Sequence, residues 1–130
     1  MDSSTLQASL AVAVGGALGS LARYWLGLLV AGGVLPWGTI VANVSGSLLI
    51  GLVAGGAGEG SRPALGETFR LFLTVGFCGG YTTFSSFSLQ TVALLQAGRH
   101  GLALANVLAS VLSCLAATWA GLAAGSALAR

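Results

Sequence analysis

Apolar residues fill four stretches of the chain, each long enough to cross a bilayer as a helix. The stretches run over residues 6–30, 37–56, 69–97 and 102–128. A helix rises about 1.5 Å per residue, so about 20 apolar residues span the hydrocarbon core. The connections are short, and the second of them begins at residues 58–63. Because short connections favour antiparallel neighbours, the pattern predicts an all-α membrane protein with four transmembrane helices in one domain, residues 1–130.

The third stretch contains an unusual segment, GFCGGYTTFSSF over residues 76–87. Adjacent glycines are followed by a cluster of threonines and serines, and Phe84 and Phe87 lie among these hydroxyl residues. A glycine costs a helix interior about 1 kcal/mol relative to alanine, and paired glycines favour an unwound turn. Unwound backbone inside a bilayer is tolerated where protein or a water-filled path surrounds it. We therefore predict a broken third helix, unwound over residues 78–83 and functional. Close glycine packing between helices is the alternative.

Small and polar residues share one face of the first helix. Gly15, Gly16, Gly19 and Arg23 recur at spacings of three and four, which predicts close packing against another helix. A charge inside a span is costly and indicates a function by default. Alternatively, Arg23 snorkels to the nearer interface and anchors the helix there. Both interpretations of Arg23 stay open at this point.

The second and fourth helices each carry a polar stripe. Thr39, Asn43 and Ser47 recur every four residues in the second helix. A mid-span amide such as that of Asn43 needs hydrogen-bond partners, so the stripe either lines a pore or bonds to a neighbouring helix. The same two readings apply to the fourth helix, whose lightly polar face consists of Asn106, Ser110, Ser113, Cys114 and Thr118.

Composition supports a membrane protein and argues against several functions. Of the residues, 55% are hydrophobic and 6% are charged, against about 25% charged in soluble domains. A net charge of +2 makes no basic patch, so nucleic acid is not an expected partner. A proton-coupled carrier would require an acidic residue inside a span, and no predicted span contains one. No nucleophile–base pair or metal cluster supports an enzyme. Hydroxyls, amides and aromatic ring edges remain, and they favour a passive anion path.

The arginines near the ends of the spans are nearly balanced between the two sides. Arg62, Arg70 and Arg130 fall on one side, and Arg99 falls on the other, joined by Arg23 if it snorkels there. Such a weak positive-inside bias permits insertion in both orientations. Four thin helices enclose little space by themselves, so we expect a dimer to line a pore.

Three motifs give the chain a family resemblance over essentially its whole length. They are GGALGSLARYWLG at 15–27, GTIVANVSGSLLIG at 38–51 and GFCGGYTTFSSFS at 76–88. Together they resemble the first three helices of the Fluc fluoride channels, also called CrcB-like proteins. The third motif is highly specific, and the fourth helix is the least distinctive part.

The resemblance implies an assembly as well as an activity. It implies a homodimer of two antiparallel subunits with dual topology and two pores, embedded in the lipid bilayer of the cytoplasmic (inner) membrane. It implies passive, selective export of fluoride ion, which protects the cell from fluoride toxicity. It also implies a structural sodium ion at the dimer centre, held by the backbone carbonyls of Gly79 and Thr82.

The resemblance also assigns residues to the pore. It implies that the rings of Phe84 and Phe87, the amide of Asn43 and the side chain of Arg23 are functional. Gln90 stands where the family commonly has a glutamate, which puts a titrating group at that end of the pore in doubt. A small multidrug-type exporter with dual topology is the alternative function, and the missing membrane carboxylate argues against it. Thr39, Ser86 and Ser110 match the polar lining.

Overall fold

The computed structural model describes residues 2–57 and 66–130, and these residues are almost entirely helical. Within this part of the chain there is no strand, so the prediction of an all-α fold is confirmed. The predicted connection at 58–63, with Arg62, lies outside the described residues. The elements are α1 (Ser3–Leu29), α2 (Trp37–Gly55), α3 (Glu67–Leu71), a π-helical segment (Phe72–Cys78), α4 (Gly79–Tyr81), α5 (Phe84–Gln96) and α6 (His100–Leu128).

Three of the described helices, α1, α2 and α6, are long and apolar enough to cross a membrane. The third predicted span is divided among the shorter elements between Glu67 and Gln96. Local signals set several helix ends. Asp2 caps α1 by accepting the Thr5 N–H at 2.9 Å, and its hydrogen bonds with Thr5 lower the pKa of its carboxyl. Gly32 and Gly33 adopt positive φ angles of 122° and 103° in the connection to α2.

Glycines bring α1 against the first half of the third span. A Cβ atom added to Gly15 would lie 2.5 Å from the Phe72 carbonyl oxygen, and one added to Gly76 would lie 2.9 Å from that of Val12. The same exclusion applies at Gly80, which faces the backbone of α1. The predicted close-packing face of the first helix is therefore confirmed, because no side chain fits between these backbones.

A second glycine seam joins α2 to α6. A Cβ atom added to Gly51 or to Gly121 would overlap the backbone of the opposite helix. Each added Cβ atom would also lie within 3.2 Å of the Cα atom of the other glycine. Gly55 and Gly125 extend the seam towards the ends of both helices. The two seams fix α1, α2, α6 and the first half of the third span, and they leave α5 to be placed by other contacts.

The helix break is shorter than predicted. We expected unwinding over residues 78–83, but Gly79–Tyr81 is helical and only Thr82 and Thr83 are extended, with ψ angles of 157° and 114°. Both the N–H and the hydroxyl of Thr82 donate to the Cys78 carbonyl, at 2.9 and 2.8 Å, and they hold the preceding turn in place. The alternative of glycine packing is correct for Gly76 and Gly80, which contact α1. Gly79 faces open space.

Candidate functional site at the helix break

Asn43 of α2 binds the unwound backbone with both ends of its amide. Its Oδ1 accepts the Thr83 N–H at 2.7 Å, and its Nδ2 donates to the Thr83 carbonyl at 3.1 Å. Forty residues separate the partners, so this pair joins α2 to the middle of the third span. The interhelical interpretation of Asn43 is thus confirmed. The pore-lining interpretation is compatible with it, because an amide nitrogen carries two protons and the Thr83 carbonyl accepts one of them.

Side chains take the N–H groups that would otherwise close the helix across the break. In an uninterrupted helix, the Thr83 N–H would donate to the Gly79 carbonyl, and the Ser86 N–H would donate to the Thr82 carbonyl. Here Asn43 takes the first, and the Thr83 hydroxyl oxygen takes the second at 3.2 Å as the N-cap of α5. Gly79 and Thr82 therefore lose their helical donors, and their carbonyl oxygens become available to another ligand.

Arg23 reaches the break from α1. Its Nε donates to the Gly80 carbonyl at 3.1 Å in a partly buried setting. The carbonyl end of a helix carries partial negative charge, so a guanidinium is favourable where the first half of the span ends. This bond shows that Arg23 contacts the third span at the break, and its functional role stays a prediction.

Two cavities lie on either side of the break. The first, called here the arginine cavity, has a volume of about 740 Å³ and is bordered by Arg23, Thr39, Ser86 and Gln90. The second, the phenylalanine cavity, has a volume of about 490 Å³. Thr83 borders both cavities, so the break separates them. Asn43, Gly79, Thr82, Phe84, Phe87 and Ser110 border the phenylalanine cavity.

Every residue that the sequence singled out for the site borders one of these two cavities. The polar stripe of α2 divides between them, because Thr39 lies at the arginine cavity while Asn43 and Ser47 lie at the phenylalanine cavity. The rings of Phe84 and Phe87 border the same cavity with their centroids 5.2 Å apart. Phe84 is 76% exposed and Phe87 only 9% exposed. The two rings therefore have different surroundings within this chain.

A buried polar group between α5 and α6 was not selected from the sequence as part of the site. Asn106 is fully buried, and its Nδ2 donates to the Thr91 hydroxyl at 2.9 Å. Among the described residues, three buried side-chain oxygens have no hydrogen-bond partner: Gln90 Oε1, Asn106 Oδ1 and Ser110 Oγ. The sequence signal for this buried group was the position of Asn106 one turn before Ser110 in an otherwise apolar helix.

The described residues contain no group of three His, Cys, Asp or Glu side chains that would hold a metal ion. His100 is exposed at the start of α6. A hard cation such as sodium at the break would therefore rely on neutral oxygens such as those of Gly79 and Thr82.

Comparison with known proteins agrees with the motifs. The family described as "CrcB-like protein, Camphor Resistance (CrcB)" matches residues 10–122. A protein of Rhodospirillum rubrum named fluoride-specific ion channel FluC is 53% identical over 113 residues, which cover 85% of this chain and 88% of that protein. A protein of the same name from Geobacter sulfurreducens is 48% identical over 122 residues, 92% of this chain and 97% of that protein. Together with its apolar helices, these matches show that the chain is a membrane protein and a member of the CrcB-like family.

Proposed function

We propose that this chain forms a fluoride channel that exports fluoride passively across the cytoplasmic membrane and protects the cell from fluoride toxicity. Relatives about half identical to it are named fluoride-specific ion channels. The observation that carries the proposal is the break at Thr82 and Thr83, which lies between two cavities lined by hydroxyls, amides and aromatic rings. Passive conduction needs no catalytic group, and a channel of this kind is not an enzyme.

Fluoride enters such a path by exchanging its water for protein donors a few at a time. In the arginine cavity, Arg23 supplies positive charge, and the hydroxyls of Thr39 and Ser86 supply donors. Thr83 leads to the phenylalanine cavity, where ring edges of Phe84 and Phe87 present partial positive charge. These contacts are individually weak, which suits conduction because an ion must enter without being trapped.

The working unit in this proposal is an antiparallel homodimer in which each subunit crosses the bilayer four times. The phenylalanine cavity is open on one side, and its rim includes the exposed Phe84, Val111 and Leu115. A second copy with inverted topology would close this opening. Reporters fused to the C-terminus are expected on both sides of the membrane. A single orientation for nearly all copies would contradict dual topology.

A structural sodium ion at the centre of this dimer fits the chemistry of the break. The carbonyls of Gly79 and Thr82 have lost their helical donors to Asn43 and Thr83, and both residues border the open cavity. Doubled across a two-fold axis, they would supply four uncharged oxygens, a set better suited to a monovalent cation than to calcium or magnesium. The ion would supply positive charge that holds the two breaks together.

Transport from liposomes that contain the purified protein tests the proposed function. Fluoride is expected to leave on its own gradient, without a proton gradient, while chloride is retained. A multidrug-type exporter would instead require the proton gradient and would move organic cations. Absence of fluoride efflux from liposomes with correctly folded protein would contradict the channel.

A further inference from the structure

Two thiols border the phenylalanine cavity from opposite elements. Cys78 ends the π-helical segment and is 3% exposed, and Cys114 lies half-buried on α6. Both are free, and both line the same space of about 490 Å³. Their convergence on one cavity depends on the fold, because the two residues belong to separate elements.

A second polar group points to a ligand in the same cavity. Ser110 stands one turn before Cys114 on α6 and is 5% exposed. Its Oγ has no hydrogen-bond partner among the described residues, although an unpaired buried hydroxyl destabilises a folded protein. The described lining contains no carboxylate and no imidazole, so hard divalent cations would find no charged ligand there.

We propose that the phenylalanine cavity binds a soft monovalent metal cation of the Ag⁺ or Cu⁺ class between the sulfurs of Cys78 and Cys114. Soft sulfur ligands select such ions over hard ones. The metal forms a bond to one sulfur as that S–H bond breaks, and the proton leaves to water. The second thiol keeps its proton and donates a sulfur lone pair. The complex is therefore neutral, no electron is transferred, and the Ser110 hydroxyl is an additional oxygen donor.

A bound metal would occupy space beside the rings of Phe84 and Phe87. If the proposed function holds, the ion obstructs the fluoride path, so the blocking effect rests on that function. Binding itself does not rest on it, and the two are measured separately.

Calorimetric titration of the full-length purified protein with silver nitrate, in buffer without chloride, tests binding. The wild type is expected to take up one Ag⁺ per chain, and Cys114→Ser or Cys78→Ala is expected to weaken binding at least 100-fold. Ser113→Ala is the matched control, because its hydroxyl bonds to the Ala109 carbonyl within α6 and Ser113 does not border the cavity. Its affinity should equal that of the wild type.

Three results would overturn the two-thiol site: no binding by the wild type, unchanged affinity in either cysteine variant, or equal loss in the Ser113 control. Unchanged affinity in Cys78→Ala alone would indicate simple modification of Cys114. Elution volume in detergent shows whether each variant is folded, and Cys78→Ser, of nearly equal size, replaces Cys78→Ala if the latter is not.

Fluoride efflux before and after addition of Ag⁺ tests the block. Efflux of the wild type is expected to fall at least tenfold, and the double cysteine variant is expected to keep its own rate before silver. Silver binding without inhibition would overturn the block and separate the cavity from the fluoride path. Missing efflux before silver would contradict the proposed function, while calorimetry would still decide the metal site.

Discussion

The two halves of the third span lie on either side of the same break, yet different interactions hold them. The first half, Glu67–Tyr81, packs against α1 through Gly76 and Gly80, where the two backbones leave no room for a side chain. The second half, α5, carries large residues and exposes Phe84 and Leu89. Its links to the neighbouring helices include the polar pair of Thr91 with Asn106.

This difference distinguishes the close backbone contact of the first half from the more open surroundings of the second. Backbone contact through glycines sets the position of the first half closely, because any added atom would overlap the neighbouring helix. The second half leaves space beside it, and both cavities are bordered by its residues, including Ser86 and Phe87. The amide of Asn43 binds the backbone of Thr83, at the junction of the two halves.

The largest expected effect comes from enlarging the glycine contact of the first half. Gly80→Val would force side-chain atoms into the backbone of α1 near Gly16, and we expect little or no folded protein. Gly101→Val is the matched control, because nothing lies within 4 Å of a Cβ atom added to Gly101. Yield and elution profile in detergent measure both. Equal behaviour of the two variants would show that the seam does not hold the first half.

A charge at the junction should abolish conduction while the fold survives. Asn43→Asp keeps an acceptor for the Thr83 N–H but replaces the donor to the Thr83 carbonyl with negative oxygen. Repulsion of an anion is strong in a site of low dielectric constant, so fluoride efflux is expected to fall at least 100-fold. Ser45→Ala, on the exposed side of α2, is the control and should conduct normally. Normal efflux through Asn43→Asp would mean that Asn43 only packs.

Removing either ring of the second half should reduce conduction without disturbing the first half. We expect Phe84→Ile and Phe87→Ile each to lower fluoride efflux at least tenfold, because an aliphatic side chain has no ring edge of partial positive charge. Phe69→Ile is the control, since this ring stacks on Phe72 in the first half and borders neither cavity. Wild-type efflux in both pore variants would remove the rings from the mechanism.

Sodium removal should act at the boundary of the two halves. Exhaustive replacement of sodium by a large organic cation is expected to lower fluoride efflux severalfold or to weaken the dimer. Lithium and potassium are expected to substitute poorly, since the carbonyls of Gly79 and Thr82 would be spaced for one ion size. Unchanged efflux and unchanged dimerisation would place water, or nothing, at these carbonyls.

The smallest expected effect concerns the polar link between α5 and α6. Thr91→Val removes the acceptor for the Asn106 amide, which is fully buried, and should cost about 1–3 kcal/mol of stability. Thr74→Val is the control, because the Thr74 hydroxyl bonds to the Arg70 carbonyl within its own segment. Thermal unfolding in detergent compares the two. Equal melting temperatures would show that Thr91 does not hold the second half in place.

Several features of this chain followed from local sequence. A helix satisfies its own backbone, so long apolar stretches were enough to predict α1, α2 and α6 to within a few residues. The glycine face of α1 also followed from spacing alone, since residues three and four apart share a face. The motif around Phe84 and Phe87 was specific enough to indicate the family that residues 10–122 match.

The extent of the break and the contact of Arg23 depended on partners distant in sequence. Glycine content predicted unwinding from Cys78 onwards, but only the contact of Gly80 with α1 and the bonds of Asn43 to Thr83 restrict it to two residues. The partner of Arg23, the Gly80 carbonyl, lies 57 residues away in the sequence. Local propensity contains no information about such a partner.

The sequence by itself therefore determined the long helices and the glycine face of α1, and the set of site residues that it predicts stays a prediction. The tertiary structure alone decided that these residues divide between two cavities, that Asn43 and Thr83 free the Gly79 and Thr82 carbonyls, and that Cys78 and Cys114 share a space. The physical reason is the sequence distance over which each interaction acts. A helix forms from bonds four residues apart, whereas a cavity and a hydrogen bond between helices exist only once separate segments have packed together.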